Sequence, residues 1–428
     1  IAAEAFFLGY IVPLLTSSVN TFFLIYAIAL TAGLTILACI KNWRLIGAVG
    51  IAAMYITHIF WLEHYTDANE STLHILFLFI YFIMFSVMAL KLKESAKEEI
   101  DSLINLKSII AVIFIVTYIF LFQLDFENPY IVFAPLILLL IILSFLVMKF
   151  KWDYFIVGGI AMTYFVHWKW LQENFNESSV FINLIALSIY FILFNIVIFM
   201  LYENKNRISN VVGILVNSGL YYSLNAWPSF YFPTGWRGLF TAAISIFYLI
   251  FAYLSYNKKI SHYFNTYIVL CFGYLTLTIP LQFNQEWVTI SWAVFTLILV
   301  LLSFRLKEDV IRVSSSIIGA ITLGRLLFYD SWKLTEPIYL GVFSITTRLF
   351  VFAIAILIFY IIAYLYYKNK ELFENYKSYI MYVNAAYAIA ATLLTTVIIW
   401  LEIWDTELAL NAKKLLTSLA FILQAIII

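Results

Sequence analysis

Apolar stretches of roughly twenty residues, separated by short polar punctuation, recur from one end of the chain to the other. Residues 21–40 (TFFLIYAIALTAGLTILACI), 131–148 (IVFAPLILLLIILSFLVM) and 349–365 (LFVFAIAILIFYIIAYL) are examples. A helix of about twenty residues rises ~30 Å, the depth of bilayer hydrocarbon. The stretches do not alternate apolar with polar positions, as the strands of a transmembrane barrel must. The pattern predicts sixteen helices, near 3–16, 20–40, 44–62, 72–90, 107–124, 129–149, 154–172, 180–201, 208–225, 237–256, 262–282, 286–304, 311–329, 342–366, 378–401 and 410–428. Residues 91–107 (KLKESAKEEIDSLINLK) read as a charged amphipathic link. Residues 224–237, with their prolines, glycine and aromatics, read as an interfacial or re-entrant segment.

Pooling alternate connections sorts the charges into two faces. Eighteen of the 25 basic residues fall on one, among them Lys41, Arg44, Lys91, Lys149, Arg207, Lys258, Lys259, Arg305, Lys307 and Lys368. The other keeps Lys169, Arg237, Arg325, Lys333, Arg348, Lys413 and Lys414. The positive-inside rule makes the first face cytoplasmic. Ten of twelve tryptophans and four of five histidines then lie outside. An aromatic belt marks both interfaces, so this split points either to a functional aromatic surface or to anchoring by Lys and Tyr on the inner side.

Composition agrees with a bilayer: hydrophobic residues make up 64% of the 428 positions and charged residues 11%, against roughly 45–50% and 25% in soluble domains. The balance of 25 basic against 24 acidic residues gives no reason to expect nucleic acid. Cys39 and Cys271 sit inside apolar runs and read as buried structural thiols. The first residue is not Met and the last are LAFILQAIII, so both ends read as clipped.

The chain also repeats itself. GIAAMYITHIFWLEH (50–64) and GIAMTYFVHWKWLQE (159–173) belong to a gapless match at offset 109, which pairs Trp43 with Trp152, Gly50 with Gly159, Tyr55 with Tyr164, His58 with His167, Trp61 with Trp170 and Tyr81 with Tyr190. At offset 111, residues 237–259 match 348–370, pairing Arg237 with Arg348. Four helices per period keep every copy in the same orientation, which predicts parallel rather than inverted repeats. The expected fold is therefore all-α and polytopic, with about sixteen spans as four parallel four-helix repeats. Their bounds are 1–106 (with the cytoplasmic link at 91–106), 107–206, 207–308 and 309–428.

FLGYIVPLLTSSVN, KNWRLIG, LTLTIPLQFNQEWVTISWAVFTLILVLLSFRLK, LGRLLFYDSW and TTRLF together resemble the family named domain of unknown function 2339, large predicted polytopic membrane proteins of prokaryotes. The resemblance runs along most of the chain and implies a prokaryotic cytoplasmic membrane. It implies no mechanism.

Charges within apolar runs are the first candidates for chemistry. An arginine at a helix centre costs roughly 2.5–3.5 kcal/mol on insertion scales, so it has a partner or a task. Arg325 lies about a turn inside the outer end of its span, with Asp330 where the span emerges, and Arg348 and Arg237 start the repeat-matched helices. These groups would form a cationic pocket for phosphate or carboxylate; alternatively they are a structural Arg–Asp pair with Arg348 snorkelling. His58 and His167, each with a tryptophan three residues on (Trp61, Trp170), are a candidate proton-relay or substrate-contacting pair, or else hydrogen-bonded interhelical histidines. Zinc would need three or four converging ligands, and no such spacing exists, so no metal is expected. Nothing resembles a nucleotide loop, a nucleophile elbow or a haem site, so no cofactor is expected either. Outer acidic residues (Glu63, Asp67, Glu70, Asp125, Glu127, Glu173, Glu177, Glu402, Asp405, Glu407) supply the enzyme alternative.

Three functions follow as expectations. The first is binding or translocation of an amphipathic anionic envelope molecule, lipid-linked or small, through an outward-facing groove, using Arg325, Asp330, Arg348, Arg237, His58, His167, Trp61 and Trp170. The second is a membrane transferase using outer carboxylates. The third is a structural scaffold without catalysis, and the reading leans away from an enzyme. The expected surroundings are membrane lipids.

Overall fold

The computed structural model describes residues 9–10, 21–64, 71–91, 106–123, 128–150, 153–201, 207–226, 228, 236–340, 343–369 and 377–427. The expected helix at 3–16 therefore falls almost wholly outside the described residues, as do the link after Lys91 and most of the aromatic segment 224–237. The chain divides into two compact units, residues 1–231 and 232–428. The division falls inside the expected third repeat.

In the first unit the helices are α1 Thr21–Lys41, α2 Arg44–His64, α3 Ser71–Lys91, α4 Leu106–Gln123, α5 Pro129–Phe150, α6 Asp153–Asn174, α7 Val180–Met200 and α8 Arg207–Ala226. Among the first four, α1 packs on α2 and α3, α3 on α4, α2 on α4, and α2 on α3. The next four have the same neighbours: α5 with α6 and α7, α7 with α8, α6 with α8, and α6 with α7. A further contact joins α4 to α6. Close approaches recur at the repeat spacing as well: a Cβ on Gly50 would meet Leu34, and one on Gly159 would collide with Leu143.

In the second unit, α9 Trp236–Asn257 packs along α10 Ser261–Gln282, and α11 Gln285–Leu306 packs along α12 Asp309–Arg325. The chain then runs through a π-helical turn, Leu326–Asp330, and a helical turn at Ser331–Lys333. Two strands follow, β1 Pro337–Leu340 and β2 Phe343–Thr346, and then α13 Thr347–Lys368, α14 Lys377–Trp404 and α15 Leu410–Ile427. The strands pair antiparallel, Pro337 opposite Thr346 and Leu340 opposite Phe343. The expected span at 342–366 is thus corrected: its first residues are strand and the helix starts at Thr347. Thr346 is the reason, because its extended backbone ends the strand while its hydroxyl oxygen accepts from the Leu349 N–H at 3.0 Å, capping α13. The core of this unit is the apolar cluster of Ala293, Val300, Val351, Phe352, Ala355, Ile362, Ala391 and Leu394, drawn from α11, α13 and α14.

Fifteen long helices are present among the described residues, and eleven of them are long and apolar enough to cross a membrane. The molecule is a multi-pass helical membrane protein, and its surface shows why. Phe22 is 80% exposed and Ile208 81%, with Ile, Leu and Phe distributed over the outside of nearly every helix, while His58, His167, Asn183, Asn195, Asn217 and Asp330 are fully buried. Apolar groups outside and hydrogen-bonding groups inside suit lipid as the solvent. Helix α8 falls short on hydropathy because Asn210, Asn217, Ser218 and Asn225 face this interior. Three connections end in left-handed residues, Asn42, Lys259 and Lys307. Trp43 N–H bonds back to Ala38 and Ile260 N–H to Ser255, the bond of a closed helix C-terminus that lets the chain reverse within a few residues.

Candidate functional site

Arg325 and Asp330 lie at the end of α12. Five residues apart, they would sit ~140° from each other around an α-helix of 3.6 residues per turn. The π-helical turn, whose bonds run between residues five apart, brings them together. Arg325 Nε stands 3.4 Å from Asp330 Oδ1 and donates at 2.8 Å to the Thr289 hydroxyl, which itself donates at 2.5 Å to Asp330 Oδ2. Arg325 Nη2 donates to the Gln285 carbonyl at 3.1 Å, and its guanidinium lies over the Tyr329 and Trp292 rings. Ser331 Oγ bonds back to the Leu326 carbonyl at 2.7 Å, which satisfies the distorted turn.

Arg348, buried in the first turn of α13, is gripped from α14. Its Nε donates to Glu402 at 3.0 Å, its Nη2 to Asp405 at 2.7 Å, and its Nη1 to the Ser331 carbonyl at 3.1 Å. It does not snorkel: long as the side chain is, it turns inward to two carboxylates. Two arginines therefore meet three carboxylates on either side of one turn, leaving no surplus positive charge there. Arg237, half-buried at the start of α9, shares none of the contacts described for Arg325 and Arg348.

What these groups hold in place is a cleft of about 720 Å³. Arg325 fixes its wall through the Gln285 carbonyl. The Arg348 backbone N–H bonds the Leu334 carbonyl at 2.8 Å, and Thr347 bonds the Glu336 carbonyl through both its N–H and its hydroxyl. The cleft is lined by Phe283, Asn284, Gln285, Glu286, Trp287 and Ile290 from the start of α11, and by Lys333, Leu334, Glu336, Ile338, Thr347 and Phe350 from the hairpin side. Aromatic rings, amides, two carboxylates and a single lysine face one space. None of the eight residues expected as ligand contacts is in that lining. The sequence signal that would have found it is the run FNQEW at 283–287, amides and an acid between two aromatics, at a helix start.

His58 and His167 are buried and each is paired across a helix interface, α2–α3 and α6–α7. His58 Nε2 lies 2.9 Å from His74 Nδ1, and His58 Nδ1 lies 3.2 Å from the Tyr81 hydroxyl. His167 Nε2 lies 2.7 Å from Asn183 Oδ1. Both partners follow at the same spacing of sixteen residues. Each histidine has a tyrosine ring edge-on, Tyr81 at 5.4 Å and Tyr190 at 5.7 Å. Trp61 and Trp170 are buried against these clusters, Trp61 on His74 and Trp170 on Phe133, so neither belongs to an aromatic surface. His74 is the residue that sequence reasoning missed: a single histidine in an apolar run carries no spacing signal by itself.

Of the acids expected on the outer face, Glu402 and Asp405 serve Arg348, and Glu173 pairs with Lys169 at 3.4 Å. Asp67, Glu70, Asp125 and Glu127 lie outside the described residues, as does the Glu63 side chain. Among the described residues no three His, Cys, Asp or Glu side chains converge as a metal site would require. A family model described as predicted membrane protein (DUF2339) matches residues 116–428. No curated protein and no solved structure matches the chain.

Proposed function

Since the chain belongs to the DUF2339 family of predicted membrane proteins, its substrate must be sought at the membrane, and we propose that it binds or translocates an amphipathic envelope molecule whose headgroup enters the cleft between α11 and the hairpin. The cleft itself carries this reading. Trp287, Phe283 and Phe350 suit the faces of sugar rings, Asn284, Gln285, Glu286 and Glu336 suit hydroxyls, and Lys333 suits one phosphate or carboxylate. Lipid-facing apolar helices beside it would carry the tail. Arg325, Asp330 and Arg348 act here as positioning residues for the walls, and Arg237 is the repeat-related counterpart of Arg348. In the same proposal the protein sits in a prokaryotic cytoplasmic membrane with the cleft outside, and all fifteen helices plus the segment at 3–16 cross it as four parallel four-helix repeats. The matched neighbour sets of α1–α4 and α5–α8 support a period of four helices, in a frame one helix later than the bounds 1–106 and 107–206.

The test is retention of glycosylated anionic lipids over plain phosphatidylglycerol by the full chain in nanodiscs, read by native mass spectrometry. Trp287→Ala should weaken retention roughly two- to twelvefold, the equivalent of ~0.5–1.5 kcal/mol for an aromatic contact. Equal retention of both lipids, unchanged in the variant, would sink the proposal.

A second reading rests on one observation: Glu286 and Glu336 line the same cleft. Two carboxylates around one space suit a transferase, one acting as general base. In that case Glu286→Gln or Glu336→Gln would abolish conversion of a bound lipid-linked donor while leaving its retention intact.

A further inference from the structure

We propose that the His58–His74 pair is a proton-binding site inside the first unit, taking up and releasing one proton per chain within the membrane. The argument starts from hydrogen-bond accounting. If His58 Nε2 carried the shared hydrogen, His74 Nε2 would be left as an N–H donor, and that atom is buried without a hydrogen-bond partner. An orphaned buried N–H is costlier and rarer than a bare acceptor. The better arrangement has His74 Nδ1–H donating to His58 Nε2 and His58 Nδ1–H donating to the Tyr81 oxygen. It leaves His74 Nε2 as a bare lone pair in a side chain only 1% exposed. Uptake forms a new N–H bond at that nitrogen, with hydronium as the proton's source and water as the other product; the new N–H has no acceptor among the described contacts, a cost that sharing the charge across the N–H···N bond must offset. The net change is one proton and one positive charge, shared over two rings through the N–H···N bond.

The surroundings offer that charge aromatic faces in place of a counter-ion. Trp61 lies against both rings, with centroids 5.5 Å from His58 and 6.2 Å from His74, and aromatic faces attract cations. The titratable group in contact with the pair is the Tyr81 phenol of α3, and Phe120 of α4 lies against both rings. One contact further out, Tyr55 of α2 packs on Tyr81 and bonds Thr117 of α4, and Tyr10, before α1, bonds Thr31. No carboxylate, lysine or arginine appears among these described contacts.

The repeat-related position provides the internal comparison. There the second imidazole is replaced by the amide of Asn183, whose Oδ1 accepts from His167 Nε2–H, an interhelical bond in the same place with the donor reversed, and which cannot take a proton. An interhelical bond alone thus needs only His–Asn. The second histidine at position 74 adds the capacity to share a proton.

The experiment is nitrogen NMR of the full chain, labelled at its five histidines and held in lipid bilayers, with proton uptake counted in parallel. As the pH is lowered from about 8, through the range where imidazoles ordinarily change charge, to about 4, two rings should titrate together with a coupling across N–H···N and one proton taken up per chain. His74→Asn should remove both signals, and Asn183→His should create a second coupled pair. Rings at positions 58 and 74 that stay neutral throughout, or proton uptake unchanged in His74→Asn, would overturn the proposal. The wild-type titration and Asn183→His decide the matter should His74→Asn fail to fold.

Discussion

Gly158 and Gly159 are adjacent in α6 and have opposite surroundings. A Cβ on Gly159 would run into the Leu143 side chain, whereas one on Gly158 meets nothing within 4 Å. Leu143 is itself buried, and its terminal methyl would have to swing into the groove of about 280 Å³ that it lines with both glycines. Gly159→Ala should destabilise the folded chain by ~1–3 kcal/mol, the usual cost of overpacking. Gly158→Ala should be neutral or gain up to ~1 kcal/mol from helix propensity. Thermal unfolding in detergent compares the two, and equal effects would show that the α5–α6 approach is not close-packed. The sequence presents the two glycines identically; only the neighbouring helix distinguishes them. The same holds for the histidines: His58 is marked by its repeat, but its partner His74 becomes visible only once α3 lies against α2.

At the scale of elements, Thr346 joins three pieces. It ends β2, caps α13 through Leu349, and donates its hydroxyl to Glu402 of α14 at 2.7 Å, beside the Arg348 network. Thr346→Val should cost ~1 kcal/mol for the cap alone, and Thr346→Ser should cost less because it keeps both bonds. Unfolding midpoints that rank the two variants the other way would mean that side-chain shape in the hairpin outweighs the cap. The π-helical turn before the hairpin is the element that periodicity reasoning could not anticipate. An apolar pattern of period 3.6 continues smoothly through LGRLLFYD, whereas the extra residue in the turn is selected by the Arg325–Asp330–Thr289 contacts it permits.

For the whole molecule, the proposed orientation makes a prediction within the second unit. In a chain with Cys39 and Cys271 replaced by alanine, Glu407→Cys should react with a membrane-impermeant maleimide in intact cells. Lys258→Cys should react only after permeabilisation; both positions are exposed. The reverse pattern would place the cleft on the cytoplasmic side and remove the envelope molecule as its ligand. The orientation rests on counting lysines and arginines, a property of the chain that survives any rearrangement of helices.

Membrane class, and the edges of most described helices to within a few residues, follow from the sequence alone, because bilayer thickness imposes a length and lipid imposes an apolar surface on each helix separately. Membership of the family is legible in the same way, from blocks such as IPLQF and RLLFYD. Which polar groups meet is a different kind of fact. Arg348 finds Glu402 and Asp405 more than fifty residues away, His58 finds His74 across a helix pair, and the cleft is closed by a hairpin whose second strand is written inside the expected span 342–366. Those pairings are decided by packing between helices, and the local apolar pattern, nearly uniform around each helix, does not encode them.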